Sequence, residues 1–256
     1  MALIVKKHKV EFLDEYLRVI EQYSSHDSVL FRGQAEDWDL LPKLARVERR
    51  IGVKDPLELE EKLLGEFRRH YRSFYDGHCE DNWDLMCLAQ HHGLPTRFLD
   101  WTTNALAALW FAVGEEKQSQ SMSYVYAYFP QQHDFVELDK CVTPQGIGHT
   151  MFLQPTINNA RVLAQSGYFS VHRYYEDYGF VAFDAGVILD GTLLKIGIPH
   201  AKRWVFRYDL DRCGVNRMTL FPDLDGLCAN IQWSQTCYKD EKGKRRSKVK
   251  RKNEEA

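Results

Sequence analysis

Arginine, histidine and aspartate, the side chains hardest to place among apolar neighbours, fall into two short stretches of this sequence. Arg32 follows Val29, Leu30 and Phe31 and precedes Gly33 and Gln34. A guanidinium at the end of an apolar strand must be paired, and its planar fork matches a carboxylate or a phosphate through two parallel hydrogen bonds. Gly33 beside it permits close approach of another backbone. The partner of Arg32 is either internal, with Asp100 and Asp225 as candidates, or a bound anion.

The second stretch runs from Gln90 through His91, His92, Gly93, Leu94, Pro95, Thr96, Arg97, Phe98, Leu99, Asp100, Trp101 and Thr102 to Thr103. Adjacent histidines at a helix end point in different directions, so at most one of His91 and His92 faces a pocket while the other caps or packs. Either is a candidate acid–base group, against the plainer role of a satisfied structural histidine. Thr102 and Thr103 at a helix start would expose backbone N–H groups which, with Arg97 and Arg32, make a pocket for an anion; simple capping is the alternative. Asp100 is the natural group to orient one of the arginines or histidines.

These stretches need elements to hold them. Phe12, Tyr16, Ile20 and Tyr23 recur at helical spacing and predict an amphipathic helix over 10–23. Residues 28–33 read as a short strand. Asp55, Pro56 and Glu58 supply an N-cap, a first-turn proline and an N3 carboxylate for a helix whose stripe is Leu59, Leu63, Phe67, Tyr71 and Phe74. A helix from about Trp83 into Gln90 stops near Gly93 and hands over to a turn, and Thr102 or Thr103 caps an apolar helix over 104–113. Strands are expected over 123–129, 167–172, 179–183 and 192–198, and closing helices over 201–212 and 220–233, the second capped by Thr219. The whole predicts an α+β fold, a single mixed domain with N-terminal and flanking helices around a central, mostly antiparallel sheet.

The chain has 256 residues, 44% of them hydrophobic, with 34 Lys and Arg against 36 Asp and Glu. That is ample for one packed core over 1–238. Residues 239–256 hold nine Lys or Arg and four acids, so a +5 tail follows a body of −7 when the whole chain is −2. Such a tail reads as a solvated end or as an electrostatic tether for nucleic acid. No signal-peptide or membrane-spanning run is evident near Met1, and six cysteines without a CxxC pair suit a reducing cytoplasm. Cys87 and His91, with His78, Cys79 and His92 near, raise a zinc-stabilised reading, but the spacings match no closed site. Asp209, Asp211, Asp223 and Asp225 resemble a metal-carboxylate set, though acids near turns are usually solvent-facing or capping.

The chain resembles the FRG domain family, named for its Phe-Arg-Gly motif and found in bacteria and phages. The resemblance rests on Phe31-Arg32-Gly33-Gln34, on His91 to Arg97 with Leu99 to Thr102, and on the following Ala-rich helix through Phe111-Ala112. It continues through Arg161 with Ala164 to Phe169 and through Leu220 to Gly226. A more distant similarity to arginine-type ADP-ribosyltransferases pairs Phe31-Arg32-Gly33 with their first motif and Asp100 to Thr103, with Ala108 and Phe111, with their second. Where their catalytic Glu would be sought the chain has Gln165 and Ser166.

That similarity implies an ADP-ribosyltransferase-like fold and an enzyme using NAD as substrate to modify a protein or nucleic acid, in a toxin or antiphage setting. Arg32, Gln34, His92, Thr96, Arg97, Trp101 and Thr102 would then bind the nucleotide, with His91, Asp100 and Asp225 catalytic. The alternative is a noncatalytic module that recognises a nucleotide or nucleic acid.

Overall fold

A computed structural model describes residues 3–23, 28–114, 120–141, 143–156, 160–185 and 191–236. The basic tail lies outside the described residues. In chain order the elements are β1 (Ile4–Lys9), α1 (Leu13–Glu21), β2 (Leu30–Gln34), α2 (Lys43–Arg46), α3 (Pro56–His70), α4 (Asn82–His91), β3 (Phe98–Thr102) and α5 (Ala105–Val113). Then follow β4 (Ser123–Tyr128), β5 (Met151–Leu153), α6 (Ala160–Gln165), β6 (Gly167–Val171), β7 (Tyr174–Tyr175), β8 (Gly179–Phe180), β9 (Thr192–Ile198), α7 (Arg203–Arg212), α8 (Arg217–Leu220) and α9 (Leu224–Gln235).

Seven strands form one sheet in the order β1-β9-β4-β2-β3-β6-β5, and β7 and β8 form a separate hairpin. Among the described strands of this sheet β1 and β9 pair in parallel and the other neighbours are antiparallel. The α+β expectation is met. Alternation along the strands divides the apolar residues between two cores. Phe31, Val125, Ala127, Leu194 and Ile196 face α1, α5 and α7, whereas Leu30, Leu99, Trp101, Tyr126, Tyr128 and Leu193 meet Phe152 and Phe183 on the other side. Each fully buried Val, Leu, Ile or Phe among them contributes about 1.5–3 kcal/mol.

Several local expectations shift. The helix expected over 10–23 begins at Leu13; Phe12 is exposed beneath Lys202, and Leu13 and Val19 take its place in the buried stripe with Tyr16, Ile20 and Tyr23. Asp55 caps α3 by accepting from the Glu58 amide at 2.9 Å, but the residue that α3 buries most deeply is Glu60, and Phe74 is exposed. Of the turn expected after Gly93, Thr96 and Arg97 lie in the connection ahead of β3, whereas Asp100 lies within β3, whose five residues all pair with β6. Strand 179–183 stops at Phe180. The last helix divides at Phe221, with α8 capped by Asn216 and α9 by Asp223, rather than running on from Thr219.

One contact fixes the sheet beneath α5. A Cβ built on Gly33 would lie 1.9 Å from the Ala108 carbonyl oxygen and 2.7 Å from the Ala112 nitrogen. Only glycine lets β2 and α5 meet at this separation, which is why the residue after Arg32 carries no side chain.

Candidate functional site

β2 and β3 pair at one position, Phe31 with Thr102, and then part. The gap between them opens into a cleft of about 390 Å³, within the range of roughly 300–1,000 Å³ typical of ligand pockets. β2 contributes Phe31 to Gln34, β3 contributes Asp100 to Thr102, the end of α4 contributes Gln90 and His91, and α5 contributes Phe111. Trp38, Gly93, Gln165, Tyr168 and Phe169 complete the wall.

Arg32 spans the gap. Its Nη1 donates to the Asp100 carbonyl oxygen at 2.7 Å and its Nε to Gln34 Oε1 at 3.2 Å. Gln34 is fixed in turn by donating from Nε2 to the Trp38 carbonyl at 2.7 Å. The Asp100 carboxylate lies 3.9 Å from Nη1. Among the described residues Nη2 has no hydrogen-bond partner, so one edge of a guanidinium only 16% exposed is left for a ligand. Burial lowers the Arg32 pKa to about 10, Arg46 adds to the decrease, and Asp100 and Tyr126 oppose it. The group stays cationic at neutral pH.

Asp100 is held from its other side. Gln90 Nε2 donates to both carboxylate oxygens at 3.2 Å, and Gln90 is itself oriented by the Thr96 hydroxyl, which donates to Oε1 at 2.6 Å. The carboxylate nevertheless remains 64% exposed toward the cleft and solvent. The α4 terminus that presents Gln90 and His91 ends at Gly93, with φ of 83°, where the Leu94 amide reaches back to the Ala89 carbonyl at 3.0 Å.

Trp101 is fixed from behind. Its indole N–H donates to Ser170 Oγ at 2.9 Å, and Ser170 Oγ lies 3.1 Å from His172 Nε2. Burial, with Arg32 and Arg97 adding to it, lowers the His172 pKa to about 3 against an opposing hydrogen bond at Val181, so His172 is neutral. Ser170 and His172 escaped the sequence reading; their alternation with inward-facing residues of β6 is the only signal, and it marks the face without revealing the hydrogen bonds.

Several expected site residues are elsewhere. Arg97 does not converge with Arg32. It is 2% exposed and committed to Glu60 of α3, donating from Nε to both carboxylate oxygens at 2.9 and 3.0 Å and also from Nη2. An interior arginine so paired has no fork to offer a phosphate. Thr96 is fully buried behind Gln90, and His92 is exposed at the α4 C-cap; neither lines the cleft. Asp225 is exposed on the first turn of α9 and also falls outside the cleft lining.

The helix-start anion pocket is corrected as well. Asn104, not Thr102 or Thr103, caps α5, accepting from the Leu106 and Ala107 amides at 3.0 and 3.1 Å. Thr102 lines the cleft, but its hydroxyl donates to the Gln165 carbonyl at 2.6 Å and accepts from the Asn104 amide. Of the expected set, Arg32, Gln34, His91, Asp100, Trp101 and Thr102 meet at the cleft.

Two of the remaining acids, Asp223 and Asp211, have structural partners. Asp223 accepts from the Gly226 amide at 2.7 Å and Asp211 from Asn216 Nδ2 at 2.9 Å. Among the described residues no three His, Cys, Asp or Glu are grouped to hold a metal ion, and Cys79, Cys87, Cys141, Cys213 and Cys228 are free thiols. Among the described residues no helix is long and apolar enough to cross a membrane.

No curated protein and no solved structure matches the chain. Residues 27–121 match the family model described as the FRG domain. That segment carries Arg32, Gln34, Trp38, Gln90, His91, Asp100, Trp101, Thr102 and Phe111, while Gln165, Tyr168 and Phe169 close the cleft from beyond it. Through this segment the chain is similar to the FRG domain family.

Proposed function

We propose that the cleft binds NAD and that the chain is an ADP-ribosyltransferase-like enzyme. The observation that carries this reading is the meeting of three separate segments, Arg32, Asp100 to Thr102, and Gln165, around one cavity with an anion-binding edge and an exposed carboxylate. The Nη2 edge of Arg32 takes a phosphate oxygen of the dinucleotide. Trp38, Trp101, Phe111 and Tyr168 offer apolar and aromatic surface to its rings.

In the reaction the bond between ribose C1′ and the nicotinamide nitrogen breaks heterolytically. The electron pair leaves with nicotinamide, which departs neutral, and positive charge builds on the sugar. Asp100, oriented by Gln90, faces that charge. An acceptor nucleophile then bonds to C1′ and gives up its proton, with His91 in reach of the same cavity as base. One well-placed electrostatic group of this kind contributes about 3 kcal/mol, roughly a hundredfold in rate.

A noncatalytic nucleotide-binding module is the second reading. It is favoured by Gln165 and Ser166 where a transferase Glu would be sought, and by the hydrogen bonds that already occupy the Asp100 carboxylate. Incubation of the protein with NAD and a cell extract, following nicotinamide release and label transfer, separates the two. Release that is lost in folded Arg32→Ala and falls about a hundredfold in Asp100→Asn supports the transferase. NAD that is bound through Arg32 and recovered intact supports the module.

A further inference from the structure

Some exposed cations of this protein stand beside an acid, and others, among them Lys6, Lys7, Arg68, Arg72, Arg212 and Arg217, have no carboxylate within 4 Å among the described residues. Among the described residues, Lys9, Arg18, Lys62, Arg69 and Lys140 are the exposed cations that lie within ion-pair distance of a carboxylate. The segment 43–54 concentrates cations of the second kind. It holds Lys43, Arg46, Arg49, Arg50 and Lys54 against one acid, Glu48. All five cations are exposed, and among the described residues none has a carboxylate within 4 Å. Like charges grouped in this way repel one another, and on a body of net charge −7 they form a local reversal of sign.

The segment begins at the mouth of the cleft. Lys43 Nζ donates at 2.6 Å to the carbonyl of Gly93, a lining residue, and the Leu44 amide donates to the Thr96 carbonyl at 3.2 Å. The positive field of Arg46 reaches Arg32 itself. Trp38, five residues before Lys43, lines the cleft and is 39% exposed. The chain thus presents, in sequence and in space, a buried guanidinium, an exposed indole at the rim, and unpaired cations leading outward.

We propose that this surface is the track of a single-stranded nucleic acid, which passes over α2 and the 47–54 loop with a base stacked near Trp38 and one nucleotide entering the Arg32 cleft. Phosphates meet Lys43, Arg46, Arg49 and Arg50, and an aromatic platform beside a basic path is the arrangement that holds single strands without sequence preference. As the acceptor of the transferase the strand rests on the reading above; as a ligand it does not.

The test is fluorescence anisotropy of a labelled mixed-sequence single strand of about 20 nucleotides with the full chain, over a salt series and without NAD. The Arg49→Glu/Arg50→Glu variant alters two exposed side chains, and thermal unfolding verifies its fold. It is expected to weaken binding at least tenfold and to flatten the slope of log K against log salt by about 1.4, the loss of two phosphate contacts on a single strand. Absence of binding by wild type, binding unchanged in the variant, or equal and equally sensitive binding of an acidic peptide each overturns the proposal. Strand binding that follows these expectations without nicotinamide release overturns only the transferase reading.

Discussion

Arg97→Met tests whether Arg97 belongs to the interior, as its geometry indicates, or to the ligand. The substitution removes the three donor contacts of the guanidinium to Glu60 and leaves a carboxylate that is 1% exposed with Gln145 Nε2, at 3.2 Å, as a remaining donor. Breaking a buried pair from one side costs about 3–5 kcal/mol, because the surviving charge keeps its desolvation penalty. For a domain of this size that corresponds to a fall of roughly 6–20 °C in Tm.

The Arg97→Met/Glu60→Leu double variant removes both charges and is expected to regain most of the loss, since an apolar pair of similar volume is often as stable as a buried ion pair. Urea denaturation of wild type, both single variants and the double variant gives the coupling energy directly. A single-variant cost below about 1 kcal/mol would refute the buried-pair argument. So would a double variant that unfolds like wild type yet no longer binds NAD, because Arg97 would then be a ligand residue.

Two further outcomes follow from the same structure. His172 has its folded pKa depressed below the unfolded value, so the unfolded chain binds the extra proton between about pH 3 and pH 6.5 and this residue's contribution to stability falls as pH falls through that window. His172→Gln should therefore flatten the pH dependence of urea stability between pH 7 and pH 5 by up to about 1.4 kcal/mol per pH unit, and equal slopes would exclude a buried neutral histidine. Gly33→Ala forces backbone against backbone at α5 and should destabilise by at least about 3 kcal/mol; a circular-dichroism melt within 2–3 °C of wild type, roughly the shift of 1 kcal/mol, would contradict that contact.

What the sequence revealed and what it withheld have a common physical cause. The Asp55 cap, the Gly93 stop and the limits of β9 are encoded within a few neighbouring residues, and each is where the sequence places it. β1 was missed because Ile4 to Lys9 is a lysine-rich edge strand whose pairing comes from β9, far along the chain. β5 has three residues and no pattern to read. In the site, Arg32, Gln34 and Asp100 were legible because costly polar groups stood among apolar ones. The role of Arg97 was not, since the sequence shows an arginine but not which helix will bury a glutamate against it 37 positions away. Helical phase held the missing clue: Glu60 is in step with Leu64, Phe67 and Tyr71, on the buried side of α3.

The early parting of β2 and β3 has a mechanical side. The backbone ladder of this sheet narrows at its middle to one residue pair, a seam with β1-β9-β4-β2 on one side and β3-β6-β5 on the other, while the apolar core beneath runs across it. Beyond Phe31 and Thr102 the hydrogen bond from Arg32 to the Asp100 carbonyl acts as a side-chain stitch where the backbone ladder has stopped. A ligand that grips Nη2 holds the same guanidinium that makes this stitch, so occupancy of the cleft is expected to tighten the join between β2 and β3. Arg32→Lys keeps the charge and cuts the stitch; amide exchange along β3 and β6 in that protein would register the seam loosening even with the cleft empty.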